Sequence, residues 1–242
     1  MVAPLVPTGD LSTTISLGVL TICAYVVARQ LFVRSGQHPL AHPVLVSVAL
    51  LIPLLVVAGR SFDVYLPVSS LLSWPLGPAT VALALPVYRH RAALQNALVP
   101  LVCGVSAGSL ATMATALAIG ALGGLATPIL DALALKSVTT AIAVELARRQ
   151  GAEPGLTAIF VVLTATIGAM IGPGLLTGLR VTDSVARGVA LGTISGAQGT
   201  AAALHERELS GALGTLSLVG AALVTSLIAP LSIPLLLHLF GR

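Results

Sequence analysis

Long apolar stretches, interrupted by glycine, proline and isolated charges, make up most of the chain. Each stretch is about 17–25 residues long, which is the length of helix that crosses about 30 Å of hydrocarbon. In a soluble bundle the apolar residues are confined to one face of each helix, but in these stretches they occur on all faces. A transmembrane barrel would show segments of about ten residues in which apolar and polar residues alternate, and this sequence has no such segments. The pattern predicts an all-α polytopic membrane protein.

Glycine, proline and charge punctuation predicts about eight transmembrane segments. They cover residues 11 to 33, 43 to 59, 68 to 88, 95 to 119, 128 to 148, 155 to 179, 185 to 204 and 211 to 239. Arginines at the segment ends favour an N-terminus outside the cell, with seven on the cytoplasmic side against four outside. A re-entrant hairpin after residue 128 would invert the C-terminal part of this topology.

The composition agrees with a membrane protein. Hydrophobic residues make up 56% of the 242 residues and charged residues 8%, against about 25% charge in soluble domains. The net charge of +4 comes from scattered basic residues that form no patch with aromatics, which excludes a nucleic-acid surface. Histidines and cysteines lack metal-ligand spacing, and no nucleophile–base arrangement is present, so we predict neither an enzyme nor a bound cofactor. Coupling to protons or sodium remains open.

Two segments of the chain resemble each other. GPATVALALPVYRH, residues 77 to 90, aligns with KSVTTAIAVELARR, residues 136 to 149. Internal duplication is how many transporter folds are built, although two helices rich in Ala and Val can also match by composition. The predicted repeat halves are residues 11 to 119 and 128 to 239 of a single transmembrane domain, residues 1 to 242.

Lys136 is the only lysine in the sequence, and it lies well inside the fifth predicted segment. An ionisable residue at this depth costs at least ~2.5 kcal/mol and needs a partner or a cavity. Its partner is either Asp131, five residues earlier, or an anion bound in a polar cavity. The hydroxyl groups of Ser137, Thr139 and Thr140 favour the anion, because they suit a carboxylate next to an alcohol group.

A second polar stretch, residues 186 to 208, interrupts the seventh segment, and a third break, GPAT, occurs at residues 77 to 80. Their small and polar residues indicate either close helix packing or the lining of a cavity. The substrate-binding candidates in these stretches are Thr193, Ser195, Gln198, Thr200 and Thr80. The candidates for a helix break or exposed cavity backbone are Gly77, Pro78, Gly192, Gly196 and Gly199.

Several motifs together resemble the LrgB family of membrane proteins. They are LGPATVALALPVYRHR, LALKSVTTAIAVELARRQG and ARGVALGTISGAQGTA, in that order, and the similarity extends over about residues 15 to 239. The resemblance implies a multi-pass protein of the bacterial inner membrane, often paired with an LrgA-type protein. It implies one of two functions: antiholin-like control of murein hydrolases and lysis, or transport of monocarboxylates. The plastid relative carries glycolate and glycerate.

The sequence departs from the family pattern around both polar stretches. The family commonly has prolines on both sides of KSVTT, where this chain has Leu135 and Ala141, and a histidine where this chain has Gly196. The missing prolines put a sharp break of the fifth helix in doubt. The missing histidine removes an obvious group for proton coupling.

These observations predict a secondary carrier for glycolate, glycerate, lactate or pyruvate, of the elevator type and in a homodimer. Lys136 is expected to neutralise the carboxylate, and the hydroxyl and amide candidates to bind its oxygen substituent. The rival is a non-transporting antiholin-like regulator that acts through an LrgA-type partner. A nonspecific pore is a weaker third interpretation, because one buried cation and few polar residues line a pore poorly.

Overall fold

The computed structural model describes residues 11–36, 41–59, 64–75, 78, 81–82 and 84–239, and these residues contain helices and no strand. Two compact units, residues 1–82 and 83–242, divide the chain. In the first unit the described helices are α1 (Leu11–Arg34), α2 (Pro43–Val57) and α3 (Leu66–Ser73). Helix α1 packs on both of the others, and the Thr21 and Tyr65 hydroxyls lie 3.0 Å apart.

The second unit contains the polar stretches. Its described helices are α4 (Ala84–Arg89), α5 (Arg91–Asn96), α6 (Leu98–Leu122), α7 (Thr127–Ala134), α8 (Thr140–Gln150), α9 (Pro154–Gly178), α10 (Ser184–Glu206) and α11 (Glu208–Leu239). Proline at the first position starts α9, where Glu153 accepts a hydrogen bond from the Gly155 amide at 3.0 Å. Asp183 caps α10 in the same way.

Four helices of the described chain are long and apolar enough to cross a membrane. They are Ser12–Arg34, Leu98–Leu122, Pro154–Gly178 and Glu208–Leu231, which correspond to the first, fourth, sixth and eighth predicted segments. This confirms an all-α protein with helices of membrane-spanning length. The fifth and seventh predicted segments have a different structure, described next.

Helix α10 turns back on itself at Gly196. This residue has φ 56° and ψ −135°, a conformation that is essentially restricted to glycine. In a straight helix Arg187 and Glu206 would be about 28 Å apart, yet Arg187 Nε donates to Glu206 Oε2 at 2.7 Å. Arg207 likewise reaches the Ser184 hydroxyl at 3.3 Å. Residues 184–206 therefore form a re-entrant hairpin, here called the second hairpin, with antiparallel legs at 184–195 and 197–206.

The contacts of the first leg give the direction of the neighbouring helices. Along α6, Gly104 packs on Val189 and Gly108 on Thr193, so α6 and the first leg are parallel. Along α9 the order is reversed, because Gly168 packs on Ser195 and Gly172 on Leu191. Helices α6 and α9 consequently run in opposite directions.

A second re-entrant hairpin follows from these directions. Helix α7 reverses α6 after a short turn, since Leu130 packs on Gly120. Helix α8 ends at Gly151, whose φ of 77° makes a left-handed turn, and packs on α9 after a three-residue connection, 151–153, as in an αα-hairpin. Because α6 and α9 are antiparallel, α7 and α8 must be antiparallel as well. Residues 127–150 are here called the first hairpin, and its tip is 135–139.

The two hairpins enter from opposite ends of α6. The first begins beyond the C-terminal end of α6 and the second begins beside its N-terminal end, where Pro100 lies near Asp183. The first hairpin is followed by the long helix α9 and the second by the long helix α11. Because the hairpins enter from opposite ends of α6, the two hairpin–helix pairs are inverted relative to each other. Inverted repeats of this kind occur in many transporters.

The hairpins correct the topology predicted from the arginines. Arg187 and Arg207 were expected on opposite sides, but both lie at the base of the second hairpin. Arg89 and Arg148 were expected on the same side, but they lie at opposite ends of α6. The position of Arg89 is fixed by its ion pair with Glu208 at 3.2 Å. The structure agrees with the alternative topology given in the sequence analysis, in which a re-entrant hairpin follows residue 128.

Candidate functional site

Lys136 lies in the tip of the first hairpin, between the end of α7 and the start of α8. The helix is interrupted although Leu135 and Ala141 replace the family's prolines. The side chain is partly buried, and its ammonium donates to the Ser137 hydroxyl at 3.3 Å. Among the ion pairs of the described residues, none joins Lys136 to Asp131. Within the part of the chain described, Ser137 is thus the hydrogen-bond partner of the Lys136 ammonium.

Helix α8 begins at Thr140 and therefore presents its N-terminus at the same tip. Its N-cap residue, Thr139, makes no side-chain hydrogen bond to the first turn. The first amide groups of a helix have no partner within the helix, and the helix dipole makes this end favourable for an anion. An ammonium, hydroxyl groups and a helix N-terminus thus lie within five residues of sequence.

The tip of the second hairpin holds the second set of predicted residues. Thr193, Ser195 and Thr200 are buried, with exposures of 2%, 1% and 0%. The Thr200 hydroxyl donates to the Gly196 carbonyl at 2.9 Å. In contrast, Thr193 Oγ1, Ser195 Oγ and Gln198 Oε1 are buried without a partner in the described structure. A buried group left unsatisfied costs about 1–3 kcal/mol, so these groups indicate a place that a polar ligand or water occupies.

Two of the predicted glycines permit close approach of backbone segments. A methyl group on Gly192 would overlap the Gly214 carbonyl of α11, and one on Gly199 would overlap the Leu191 carbonyl of the opposite leg. Both positions are packing contacts, whereas Gly196 makes the turn itself. The glycines therefore hold the two legs and α11 together at the tip.

Both tips belong to the part of the chain that packs around α6. Val138 of the first tip is in the apolar cluster that includes Met113 and Leu117 of α6, and Thr193, near the second tip, packs on Gly108. Positions 108 and 113 are about 8 Å apart along the axis, on either side of the middle of α6. Among the described residues no hydrogen bond is seen between the two tips, and the two sets of candidates form separate clusters.

Sequence reasoning missed further buried hydroxyls in the same helices. Ser109 of α6, Thr166 of α9 and Ser217 of α11 have exposures of 4%, 4% and 0%. Their hydroxyl oxygens also lack a partner among the described residues. Single serines and threonines in apolar segments give no signal by themselves. These hydroxyls can be recognised as candidate polar groups only from the structure, which shows that they are buried in helices that pack around the hairpins.

The base of the second hairpin was also missed as a unit. Arg187 binds Glu206 and donates to the Val181 carbonyl at 2.9 Å and to the Pro173 carbonyl at 3.0 Å. This ties both legs to the end of α9 beside a cavity of about 340 Å³. The third predicted break contributes less: Gly77 and Thr80 lie outside the described residues, and Pro78 is helical and exposed.

The comparison with known proteins agrees with the motifs. The sequence pattern of the LrgB-like family matches residues 21–235. The chain belongs to the LrgB-like family. It is a membrane protein, and the resemblance expected from its motifs is confirmed.

Relatives of this LrgB-like protein cover most of its length. It is 36% identical to Uncharacterized protein YwbG of Bacillus subtilis, over 87% of this chain and 93% of the relative. It is 32% identical to Uncharacterized protein YxaC of the same organism, over 88% and 92%. Antiholin-like protein LrgB of Bacillus mycoides is 28% identical over 89% and 94%. No solved structure matches the chain significantly.

Proposed function

We propose that this LrgB-like protein is a secondary carrier of small monocarboxylates of the glycolate, glycerate, lactate or pyruvate type. The observation that supports this most is Lys136, a single ammonium in a helix break that also contains hydroxyl groups and a helix N-terminus. Such a tip offers one positive charge and several directional donors to a carboxylate. The unpartnered hydroxyls of the second hairpin are available for the oxygen substituent of the anion.

In this proposal Lys136 neutralises the carboxylate, assisted by Ser137 and the first amides of α8. Thr193, Ser195 and Gln198 bind the hydroxyl or keto oxygen. Transport follows an elevator-type movement, in which one group of helices carries the site between the two sides. Two inverted hairpin–helix pairs suit this mechanism, because broken helices near the midplane commonly form the binding sites of inverted-repeat carriers.

The wider assignments are part of the same proposal. The protein resides in the bacterial inner membrane, works as a homodimer and catalyses no chemical reaction. Uptake is coupled to protons or to sodium, which imposed gradients of each ion distinguish in vesicles. An LrgA-type protein is a further proposed partner.

The test is uptake of radiolabelled glycolate and pyruvate into proteoliposomes. We expect Lys136→Ala to raise KM about 10- to 100-fold, because hydrogen bonds to a charged group contribute about 1.5–3 kcal/mol. Lys136→Arg is expected to be impaired as well, since a planar guanidinium does not replace a compact ammonium. Arg149→Ala is the matched control, because this cation is exposed and, among the described residues, forms an ion pair only with Glu145 of its own helix.

An antiholin-like regulator is the second candidate, and the name of the Bacillus mycoides relative favours it. It predicts an effect on lysis that requires an LrgA-type partner and is unchanged in Lys136→Ala. Absence of uptake for both substrates, together with a lysis effect in Lys136→Ala equal to that of the unaltered protein, would replace the carrier proposal by this one.

A further inference from the structure

A groove of about 420 Å³ runs between α6 and the first leg of the second hairpin. On α6 it is lined by Pro100, Gly104 and Gly108, and on the other side by residues between Asp183 and Ile194. It lies beside the close contacts of Gly104 with Val189 and of Gly108 with Thr193, which hold the two helices together. From Asp183 to Ile194 the leg rises about 16 Å, about half of the 30 Å hydrocarbon core.

The inner end of the groove is polar although its walls are apolar. Thr193 lines it there, two residues before Ser195 and the turn at Gly196. The Thr193 side chain is 2% exposed, and its hydroxyl has no partner among the described residues. A lipid chain in the groove would leave this hydroxyl unsatisfied, whereas water or a polar solute would satisfy it.

The outer end of the groove lies at the base of the second hairpin. In the second unit, the arginines at this end are Arg89, Arg91, Arg180, Arg187 and Arg207, and those at the opposite end are Arg148 and Arg149. Cytoplasmic ends of membrane proteins carry the excess of Lys and Arg. The base, and with it the mouth of the groove, is therefore assigned to the cytoplasm.

We propose that this groove is a water-filled route from the cytoplasm to the tip of the second hairpin. The solute that uses it is a small hydroxy or keto carboxylate; this part rests on the proposed function, while the presence of water does not. The described conformation is then the one open to the cytoplasm. Asp183 at the mouth and Thr193 at the inner end are the polar side chains that the solute meets.

The test is accessibility of introduced cysteines to a membrane-impermeant thiol reagent in the full-length protein. The two native cysteines are free and exposed, so Cys23→Ser and Cys103→Ser provide the background. Ile194→Cys probes the inner end of the groove. Ile167→Cys on α9 is the matched control, because it lies next to Gly168, which packs on the tip, and is 51% exposed on its own helix against 38% for Ile194.

We expect Ile194→Cys to react about tenfold or more faster than Ile167→Cys in inside-out vesicles, because only a hydrated thiol forms the reactive thiolate readily. In right-side-out vesicles the difference should disappear. Glycolate or pyruvate should slow the reaction of Ile194→Cys. Equal, slow reaction of both cysteines, or reaction of Ile194→Cys only from outside, would overturn the proposed route. A fast cytoplasmic reaction that neither substrate slows would leave the route in place and count against the monocarboxylate assignment.

Discussion

Arg187 and Glu206 close the base of the second hairpin, and neutralising Glu206 should weaken the whole hairpin. The side chains of the pair are 12% and 24% exposed. In Glu206→Gln the Arg187 guanidinium keeps its bonds to Val181 and Pro173 but loses its counter-charge. Breaking a buried pair costs about 3–5 kcal/mol and an exposed pair about 0–1. This pair lies between these cases, which gives about 2 kcal/mol.

The assay is thermal unfolding of the purified protein in detergent. For a unit of this size, a loss of about 2 kcal/mol lowers Tm by about 4–8 °C. The control is Glu145→Gln, which removes the exposed 3.0 Å pair with Arg149, whose side chains are 52% and 74% exposed. An exposed helical pair contributes about 0.3–0.5 kcal/mol, so its Tm should change by less than about 2 °C.

Exchanging the two charges tests whether the ion pair alone stabilises the base or whether the hydrogen bonds from Arg187 to the backbone carbonyls are also needed. In Arg187→Glu/Glu206→Arg the pair can re-form, but the new glutamate faces the carbonyl oxygens of Pro173 and Val181, which accept hydrogen bonds from Arg187 in the native protein. We therefore expect the exchange to remain less stable than Glu206→Gln. Full recovery of the native Tm by the exchange, or an unchanged Tm in Glu206→Gln, would refute the reasoning.

Two further substitutions test the tip of the second hairpin. Gly196→Ala should lower the free energy of unfolding by about 1–3 kcal/mol, because alanine is strained at positive φ. The control is Gly174→Ala in α9, where nothing lies within 4 Å of an added methyl group, and it should be neutral or slightly stabilising. Equal Tm values for the two variants would contradict the turn at Gly196. Thr193→Val keeps the shape and removes an unpartnered hydroxyl, so Tm should stay the same or rise while the KM for uptake rises about 5- to 10-fold, as expected for loss of about 1 kcal/mol of hydrogen bonding. A lowered Tm with unchanged KM would show that the hydroxyl serves the fold.

The class of the protein and the main helices could be predicted from the sequence because they depend on local composition. A run of apolar residues as long as Leu98–Leu122 has one stable structure in a bilayer, which is a spanning helix. Lys136 could also be found, since a lone charge in such a run requires a cavity or a partner. The break around it remained in doubt because Leu135 and Ala141 carry no local signal for it.

The hairpins could be predicted only in part. A re-entrant hairpin after residue 128 and a helix break at Gly192, Gly196 or Gly199 were open alternatives, but length and hydropathy do not reveal where a helix reverses. Gly196 resembles every other glycine in the segment, and only its neighbours in space demand the turn. The pairing of Arg187 with Glu206 joins residues that a straight helix would place on opposite sides of the membrane. The sequence comparison aligned two single segments, residues 77–90 and 136–149. The elements that are inverted in the structure are larger, since each consists of a hairpin and the long helix after it.

The second hairpin has a consequence for the order in which the chain is assembled during synthesis. Its legs are too short to span, and it is not among the four helices that are apolar enough to cross a membrane by themselves. The surface on which Gly188 and Gly192 pack belongs to α11, which leaves the ribosome later. The first leg also packs on α6 and α9, which are made earlier, so the packing surface of residues 184–206 is complete only after α11 has been inserted. We therefore expect the hairpin to take its final position after α11 has been inserted.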